Sequence, residues 1–437
     1  MKLPYALVVL GCLLSAVSAQ WLEKTIRLPA GSQPYAVCWN SRDDKVYVGC
    51  YQSDSIYIID CASETLLKSL SAPPNPFDMI YDSADNKVYC SCELDSCVLV
   101  IDGASDTVRA RVTTGALVRY LFYNALAGTV FCSNANGNTI SVINAAADTV
   151  VATIPCPTPQ LYGFDRSRNR VYCSTVQSNC VLVTDGATNQ VLDTLAFDNP
   201  VGVAWSERED KLFIAHYYNR VSILDAGPDT IIKTLLLGNF PNYVQVCEPE
   251  NTVFVNNYSA GTVSVLDAAS DSVLTVLPAG SYPSPMIYSA RRNLMFCPVM
   301  GSNIVQIYDC ALNTVRASVT VPTGPIAATL DVARGRVYVA CSQSDYIAVI
   351  RDNATGIAER ENSELRSVKT EPTIVRDILC LPFSPFTIHV SLLAPTGRQV
   401  LPLHAGANDV SRLAPGIYFV RQVSGTERRA SKVALTR

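Results

Sequence analysis

Residues 45–60 read KVYVGCYQSDSIYIID, two runs of strand-forming residues joined by a short polar turn. The second run closes on Ile58-Ile59-Asp60, and an ending of this kind recurs along the chain. Successive copies are separated by 42, 42, 41, 40, 42, 42 and 42 residues, and they close on Asp60, Asp102, Asn144, Asp185, Asp225, Asp267, Asp309 and Arg351. A fixed period of this length indicates a repeat architecture.

Each repeat unit contains four short strand-like segments. A second segment lies about a dozen residues before each closing residue, as at 336–339 (RVYV), and a third lies about a dozen earlier, as at 202–205 (GVAW). A fourth follows the closing residue, as at 151–154 (VATI). Four strands in such a unit are typical of a β-propeller blade. Because a single blade cannot bury both of its faces, the sequence predicts an all-β ring of stacked blades.

The number of closing residues predicts eight blades over residues 20–356, with seven blades as the alternative. The eighth unit has no evident fourth strand after Arg351, whereas residues 23–28 (EKTIRL) precede the first unit and resemble a fourth strand. Pairing this N-terminal strand with the last unit would close the ring and remove two exposed strand edges.

The units resemble the YVTN family of β-propeller repeats. The namesake strand of that family corresponds to residues 46–49 (VYVG) and 337–340 (VYVA), and its next turn and strand correspond to residues 53–60. The resemblance covers roughly three quarters of the chain and implies the fold. It implies less about function, because such propellers include surface-layer proteins, binding modules and some enzymes.

Residues 1–19 are predicted to be a signal peptide. Lys2 supplies a positive charge, residues 6–17 are apolar, and residues 17–19 (VSA) offer a cleavage site between small residues. A lipoprotein signal ending at Cys12 is the alternative, but the apolar run continues beyond it. That run is too short to span a bilayer. The sequence therefore predicts an exported protein without a transmembrane segment, located outside the cell or at its surface, with the periplasm as the alternative.

The composition changes after residue 356. Residues 357–372 are rich in charge and predict a linker. Residues 373–437 return to short apolar runs separated by turns, which predicts a small antiparallel β-sandwich. Its predicted strands cover residues 374–381, 388–393, 399–403 and 417–422.

This C-terminal region resembles the sorting domain of bacterial type IX secretion substrates. The matching segments are 396–400 (TGRQV), 406–410 (GANDV), 413–421 (LAPGIYFVR) and 431–437 (SKVALTR). The usual Pro-Asn-Pro opening is absent, which leaves the transport route open. The resemblance implies the secretion machinery as a partner, and a generic accessory sandwich is the alternative.

The composition argues against several functional classes. There are 34 Lys and Arg against 38 Asp and Glu, a net charge of −4, which disfavours a nucleic-acid partner. Three histidines leave little room for a His-based metal site. No GxSxG, HExxH, glycine-rich phosphate loop or EF-hand loop occurs. The sequence therefore predicts no catalytic residue, no metal and no cofactor.

The 16 cysteines leave 15 once the signal peptide is removed, so at least one thiol has no partner within the chain. Many of them lie within apolar strand patterns, which predicts small buried apolar residues. Disulfide pairing stays open. The closing aspartates are likewise predicted to be structural, with side chains that accept hydrogen bonds from the turn backbone.

Departures from the repeat supply the candidate binding residues. In propellers, the loops between blades share one face with the loops between the second and third strands of a blade. That face is predicted to bind a ligand through Tyr51, His216, Tyr217, Tyr218 and Tyr258. The loops between blades add four aromatic residues, which are Tyr35, Phe77, Phe240 and Tyr282. A mostly uncharged aromatic rim suits a protein, peptide or glycan partner. The alternative is that the rings only cover the loop ends.

The sequence therefore favours an exported bacterial propeller that acts as a binding module. The alternative is a propeller enzyme of lactonase or lyase type, with polar residues gathered in the central channel. Three or more titratable side chains within hydrogen-bond reach in one pocket would favour the enzyme. An aromatic-rimmed face without such a group would favour binding.

Overall fold

The computed structural model of the protein describes residues 20–352 and, beyond them, the backbone of seven strands. The chain divides into two units, Met1–Ala358 and Glu359–Arg437. The signal peptide predicted over residues 1–19 and the linker predicted over residues 357–372 lie outside the described residues.

Eight four-stranded antiparallel sheets form the first unit. The protein is therefore an eight-bladed β-propeller, and the seven-bladed alternative is wrong. The first four blades consist of β2 (Pro34–Asn40), β3 (Lys45–Cys50), β4 (Ser55–Asp60), β5 (Thr65–Ser71); β6 (Pro76–Asp82), β7 (Lys87–Cys92), β8 (Cys97–Asp102), β9 (Thr107–Thr113); β10 (Val118–Asn124), β11 (Thr129–Asn134), β12 (Thr139–Asn144), β13 (Thr149–Pro155); and β14 (Pro159–Asp165), β15 (Arg170–Thr175), β16 (Cys180–Asp185), β17 (Val191–Ala196).

The last four blades have the same order, except that the outer strand of the eighth comes from the N-terminus. They consist of β18 (Pro200–Ser206), β19 (Lys211–His216), β20 (Arg220–Asp225), β21 (Thr230–Leu236); β22 (Pro241–Cys247), β23 (Thr252–Asn257), β24 (Thr262–Asp267), β25 (Ser272–Pro278); β26 (Ile287–Ser289), β27 (Leu294–Val299), β28 (Ile304–Asp309), β29 (Thr314–Thr320); and β30 (Pro325–Asp331), β31 (Arg336–Cys341), β32 (Tyr346–Asp352), β1 (Gln20–Arg27). Short 3₁₀ turns occupy Glu93–Asp95, Glu248–Glu250 and Met300–Ser302.

Burial changes across each blade in the order of its strands. The first strands of neighbouring blades contact one another and surround the axis. Second strands such as β7 and β11 are buried along their whole length, whereas outer strands such as β5 are mostly exposed. The core lies between blades, as where Tyr89 and Val100 of one blade pack with Val130 of the next. Burial on both faces explains the continuous apolar runs of the inner strands.

The N-terminal strand closes the ring, as the sequence predicts. Strand β1 pairs antiparallel with β32, with Gln20 opposite Asp352 and Arg27 opposite Tyr346. Glu23 accepts hydrogen bonds from Arg336 Nε at 2.9 Å and from Arg351 Nη2 at 2.6 Å. Burial raises the pKa of Glu23, but the two arginines lower it by more, so this pKa lies below its ordinary value.

Ion pairs join neighbouring blades at the face that carries the turns between first and second strands, here called the base face. In each pair, the cation that begins a second strand contacts an acidic residue in the next blade's turn between third and fourth strands. The pairs are Lys45–Asp106 at 2.8 Å, Lys87–Asp148 at 2.8 Å, Arg170–Asp229 at 3.0 Å, Lys211–Asp271 at 2.8 Å and Arg336–Glu64 at 2.8 Å.

The closing aspartates stabilise turns, as predicted. Asp60 Oδ1 accepts a hydrogen bond from the Ser63 amide at 2.6 Å, and Asp267 Oδ1 accepts one from the Ser270 amide at 2.7 Å. Backbone hydrogen bonds of this kind lower the pKa of Asp60 and of Asp267. The ring of carboxylates that the repeat suggests is therefore structural.

The cysteines of residues 20–352 are all unpaired, and all of them except Cys180 are buried. Those of the described core therefore act as small apolar residues, as predicted. Within the same residues, no helix is long and apolar enough to cross a membrane.

The second unit contains a five-stranded and a two-stranded sheet. Its strands are β33 (Thr373–Val375), β34 (Ile378–Leu381), β35 (His389–Leu393), β36 (Gln399–Leu403), β37 (Gly406–Asp409), β38 (Gly416–Ser424) and β39 (Glu427–Leu435). The single strand predicted over residues 374–381 is divided into two, β33 and β34, which belong to different sheets. The larger sheet is not wholly antiparallel, because β33 runs parallel to β39.

Candidate functional site at the mouth of the channel

The loops between blades meet the loops between second and third strands at one end of the ring, here called the mouth face. Backbone hydrogen bonds join the two sets of loops: the Tyr51 amide donates to Gln33 O at 3.0 Å, and the Tyr258 amide donates to Phe240 O at 2.8 Å. The same bond recurs from Glu93 to Asn75 and from Tyr217 to Asn199. The mouth face therefore holds the loops that carry the predicted aromatic residues.

Four rings from the first three blades lie side by side and form the first aromatic series. Tyr51 lies 5.3 Å from Tyr35, Tyr35 lies 5.1 Å from Phe77, and Phe77 lies 5.5 Å from Tyr120, between ring centroids. Distances of this size are typical of favourable aromatic pairs. Three of these rings were expected on the rim, and Tyr120 extends the series to the channel wall.

Five rings from the fifth to seventh blades form the second aromatic series. The centroid distances are 5.3 Å for Tyr218–Tyr217, 4.2 Å for Tyr217–Phe240, 5.6 Å for Phe240–Tyr258 and 5.0 Å for Tyr258–Tyr282. Tyr217, Tyr218 and Tyr282 are exposed. The sequence-predicted rim aromatics therefore fall into two contiguous groups on separate arcs of the mouth face.

Two cavities lie between these series. The smaller, of about 460 Å³, is lined by residues of the third to sixth blades, among them Leu117, Arg119, Tyr120, Gln160, Tyr217 and Phe240. The larger, of about 680 Å³, is lined by residues of the other blades, by Tyr120, and by Asn242, Tyr243 and Tyr258 of the sixth blade. Because these linings come from opposite sides of the ring, the cavities belong to the central channel. Tyr120, Asn242 and Tyr243 line both.

A hydrogen-bonded group lies beside the smaller cavity. Glu93, in a 3₁₀ turn, is almost fully buried. Its Oε1 accepts from Arg119 Nε at 2.6 Å, and its Oε2 accepts from Tyr51 Oη at 2.9 Å. The Arg119 guanidinium also lies over the Phe77 ring, 5.5 Å from its centroid. Glu93 and Phe77 thus fix the orientation of Arg119 at the cavity wall.

A second polar group lines the larger cavity. Burial raises the pKa of Asp78 to about 6, although the amides of Leu121 and Met79 each donate to its carboxylate at 2.9 Å. Burial raises the pKa values of the Tyr120 and Tyr243 phenols, which line the same cavity. This pair stands between the two cavities.

His216 lies inside its blade and not on the rim. It is buried, its Nδ1 contacts Asp198 O at 2.7 Å, and its Nε2 contacts Ser222 Oγ at 2.8 Å. Burial lowers its pKa, so the ring is neutral at pH 7. Both ring nitrogens are occupied, which gives His216 a role in holding the base of the Tyr217 loop. The sequence grouped His216 with Tyr217 and Tyr218, but only the tyrosines project to solvent.

A further acidic cluster lies between the eighth and first blades, where oxygens of Asp44 and Asp331 and the sulfur of Cys61 lie within 4.8 Å of one another. Arg334 forms an ion pair with Asp44 and lies 3.9 Å from Asp331. The same arrangement occurs between the fourth and fifth blades, where Arg168 Nη1 bonds Asp165 at 2.8 Å and Asp210 at 2.7 Å. The cluster is thus explained as an arginine-bridged acidic pair.

Sequence reasoning missed Arg119, Glu93, Tyr120 and Tyr243. The repeat did contain a signal for Arg119. Seven units place proline at the start of the innermost strand or in the loop that leads into it, whereas the third unit has Val118 followed by Arg119. Glu93 is the only charged residue among the eight that directly follow second strands, which are Tyr51, Glu93, Ala135, Val176, Tyr217, Tyr258, Met300 and Ser342.

Solved structures share the propeller fold. The computationally designed Ika8 protein superposes with a TM-score of 0.63 at 14% identity, over 74% of this chain and 98% of that one. Sqt1 from Saccharomyces cerevisiae superposes with a TM-score of 0.65 at 9% identity, over 75% of this chain and 98% of that one. Hydrazine synthase from Kuenenia stuttgartiensis superposes with a TM-score of 0.54 at 16% identity, over 74% of this chain and 96% of that one. At these identities the similarity shows the fold alone.

No protein-family model matches the chain, and no curated protein sequence matches it. The resemblances to the YVTN repeats and to the type IX sorting domain therefore stay predictions.

Proposed function

We propose that this β-propeller is a binding module whose ligand lies on the mouth face, between the two aromatic series. The observation that carries this proposal is the arrangement of nine rings in two contiguous series beside a channel cavity. Large rings supply much contact area while losing few rotamers, so they are efficient anchors for a partner. A protein, peptide or glycan partner fits such a surface.

Backbone conformation supports the same proposal. Each loop between blades has a residue at positive φ in the same position of the repeat, and most blades use Gln, Asn, Thr or Gly there. Leu117, Phe240 and Tyr282 adopt φ of 59°, 54° and 62° at this position. Bulky residues are disfavoured in this region by about 1–3 kcal/mol. Since a small polar residue would be more stable, the presence of these bulky residues on the mouth face is better explained by contact with a ligand.

The enzyme alternative rests on Asp78. Its raised pKa, with the phenols of Tyr120 and Tyr243 in the same cavity, matches the grouping that a general acid or base requires. Both Asp78 oxygens already accept backbone hydrogen bonds, however, which suits a structural carboxylate. Lactone hydrolysis that is abolished by Asp78→Asn, with an unchanged melting temperature, would establish the enzyme and displace the binding proposal.

Export also belongs to this proposal, with residues 1–19 as signal peptide and residues 373–437 as a secretion or anchoring domain. Its support is the sequence resemblance of the C-terminal region. A chain truncated after residue 356 should fold as a propeller and remain within the cell envelope. Unchanged delivery of the truncated chain to the medium or cell surface would contradict the assigned role of the C-terminal unit.

Binding is tested by screening the full chain against arrays of peptides and oligosaccharides. Tyr217→Ser combined with Tyr218→Ser should weaken binding to any hit by about 1–3 kcal/mol, because the double variant removes two anchors. Leu66→Ser combined with Leu67→Ser is the matched control. These residues are 38% and 50% exposed on an outer strand, against 44% and 53% for the tyrosines. Equal losses in both variants would contradict a site on the mouth face.

A further inference from the structure

We propose that the smaller cavity binds an acidic sugar, a sugar ring bearing a carboxylate, and that Arg119 pairs with that carboxylate. This inference rests on the proposed binding function and specifies its ligand class. Arg119 is the only cationic side chain among the residues that line the two cavities.

Arg119 has hydrogen-bond donors to spare. Within residues 20–352 its side chain makes one hydrogen bond, from Nε to Glu93, which leaves the four N–H groups of its terminal nitrogens. An arginine of this kind matches the two oxygens of a carboxylate with parallel hydrogen bonds. Its side chain is 35% exposed and lines the cavity, so these donors are within reach of a ligand.

Arg119 is also held in place before any ligand binds. Glu93 fixes its Nε, and the Phe77 ring lies against its guanidinium. Glu93 is itself 3% exposed and hydrogen bonded to Tyr51, so the carboxylate that positions the arginine does not line the cavity. A donor fixed in this way loses little side-chain freedom on binding, which favours affinity.

The remaining lining favours a sugar over a peptide terminus. Asn136, Gln160, Gln177 and Asn242 contribute four amides, each able to donate to one hydroxyl and accept from its neighbour. Aromatic side chains supply flat apolar walls for the less polar face of a sugar ring, namely Tyr120, Tyr217, Phe240 and Tyr243. A volume of about 460 Å³ falls within the range of small-molecule sites.

The net charge of the propeller does not favour an acidic ligand, so the preference depends on the contact between Arg119 and the ligand carboxylate. Residues 20–356 carry 22 basic and 31 acidic side chains, a net charge of −9. Such a domain repels anions at long range, so a preference for an acidic ligand must come from direct contact with Arg119. The preference should accordingly survive an increase in salt that screens the repulsion.

The test is an oligosaccharide array in which each uronate-containing member is printed beside its carboxyl-reduced counterpart, with free and amidated peptides as a further arm. The wild-type chain should bind acidic members about tenfold or more tightly than their reduced counterparts, since a hydrogen bond to a charged group is stronger than one to a neutral group. Glu93→Gln combined with Arg119→Met removes the pair together, leaves no buried lone carboxylate, and should abolish the preference. Glu93→Gln alone should weaken the preference, because it loosens the hold on Arg119, and the exposed Arg316→Met should retain it.

The outcomes separate the two proposals. Equal binding of acidic and reduced sugars, sensitive to Tyr217→Ser with Tyr218→Ser, would overturn the role of Arg119 and keep the binding function. Binding of peptides alone would overturn the sugar assignment. Failure of every array member to bind, or binding insensitive to the tyrosine variant, would overturn the proposed function itself. Melting temperatures confirm that each variant is folded.

Discussion

The base face and the mouth face of the ring differ in how closely their residues repeat from blade to blade. On the base face, one kind of ion pair joins five pairs of neighbouring blades, with only Lys–Arg and Asp–Glu exchanges among its members. On the mouth face, the residue after the second strand ranges from Ala135 and Ser342 to Tyr217 and Glu93. The residues of this ion pair repeat in most blades, whereas the equivalent residues of the mouth face differ in size and charge from blade to blade. Under the proposed function, the face that varies within the repeat is the one that binds the ligand.

The largest expected effect is the loss of ring closure. Deleting residues 20–28 removes the outer strand of the eighth blade and the Glu23 contacts to Arg336 and Arg351. The free energy of unfolding should fall by roughly 5 kcal/mol or more, a large part of the total for a folded domain. Urea unfolding measures this loss, and a synthetic peptide of residues 20–28 should restore part of it. An unchanged midpoint would show that closure does not depend on this strand.

The second-largest loss of stability is expected when a base-face ion pair is broken. Lys87→Met leaves Asp148 without Lys87, and both side chains are nearly buried, with 5% and 7% exposed. Breaking a buried pair destabilises a protein by about 3–5 kcal/mol, and the Arg109 contact that Asp148 keeps at 2.7 Å should hold this loss near the lower end of that range. The control is Thr129→Val at the equivalent position of the third blade, where the Thr129 hydroxyl has no hydrogen-bond partner. Equal effects of the two substitutions on urea unfolding would refute the role given to the ion pair.

Acid should weaken the closure contact in a defined pH range. The folded-state pKa of Glu23 is lowered, so its stabilisation is complete above the unfolded value of 4.5 and is lost as the pH falls through the folded value. Glu23→Gln should therefore destabilise the protein at pH 7 and much less at pH 3. The effect at pH 7 should be smaller than that of Lys87→Met, because water partly screens this pair. A difference independent of pH would contradict the assignment.

The smallest effect on stability is expected on the mouth face. Tyr217→Ser with Tyr218→Ser should change the free energy of unfolding by less than about 1 kcal/mol, because both rings are exposed and pack mainly against other rim aromatics. Thermal unfolding measures this change. A loss comparable to that of Lys87→Met would show that the tyrosines stabilise the blade, and would remove the contrast between the faces.

The fold could be predicted from the sequence because its determinants are periodic. The repeat of about 42 residues gave the blades, and the spare N-terminal strand gave the closure that β1 and β32 form. The exposure of Tyr217 and Tyr218 could also be predicted from the repeat, since they lie in a turn where other units have small or polar residues.

The burial of His216 does not follow from its residue type. It follows from its position in the repeat, which is the last residue of a second strand. Asn134 and Asn257 occupy the equivalent position, and each bonds a serine in the next strand, Ser141 or Ser264. His216 makes the same contact with Ser222. The Glu93–Arg119 pair was missed because its residues are 26 positions apart in different blades. Only the ring geometry brings them together.

The most direct test of the contrast between the two faces is hydrogen–deuterium exchange of the full chain, with and without its tightest array ligand. Binding on the mouth face predicts slower exchange in the loops around residues 33–36, 93–96, 117–120, 217–219 and 240–243. The base-face turns around residues 41–44, 83–86 and 208–211 should exchange at an unchanged rate. Protection of the base-face turns, or of the outer strands alone, would contradict the assignment of recognition to the mouth of the channel.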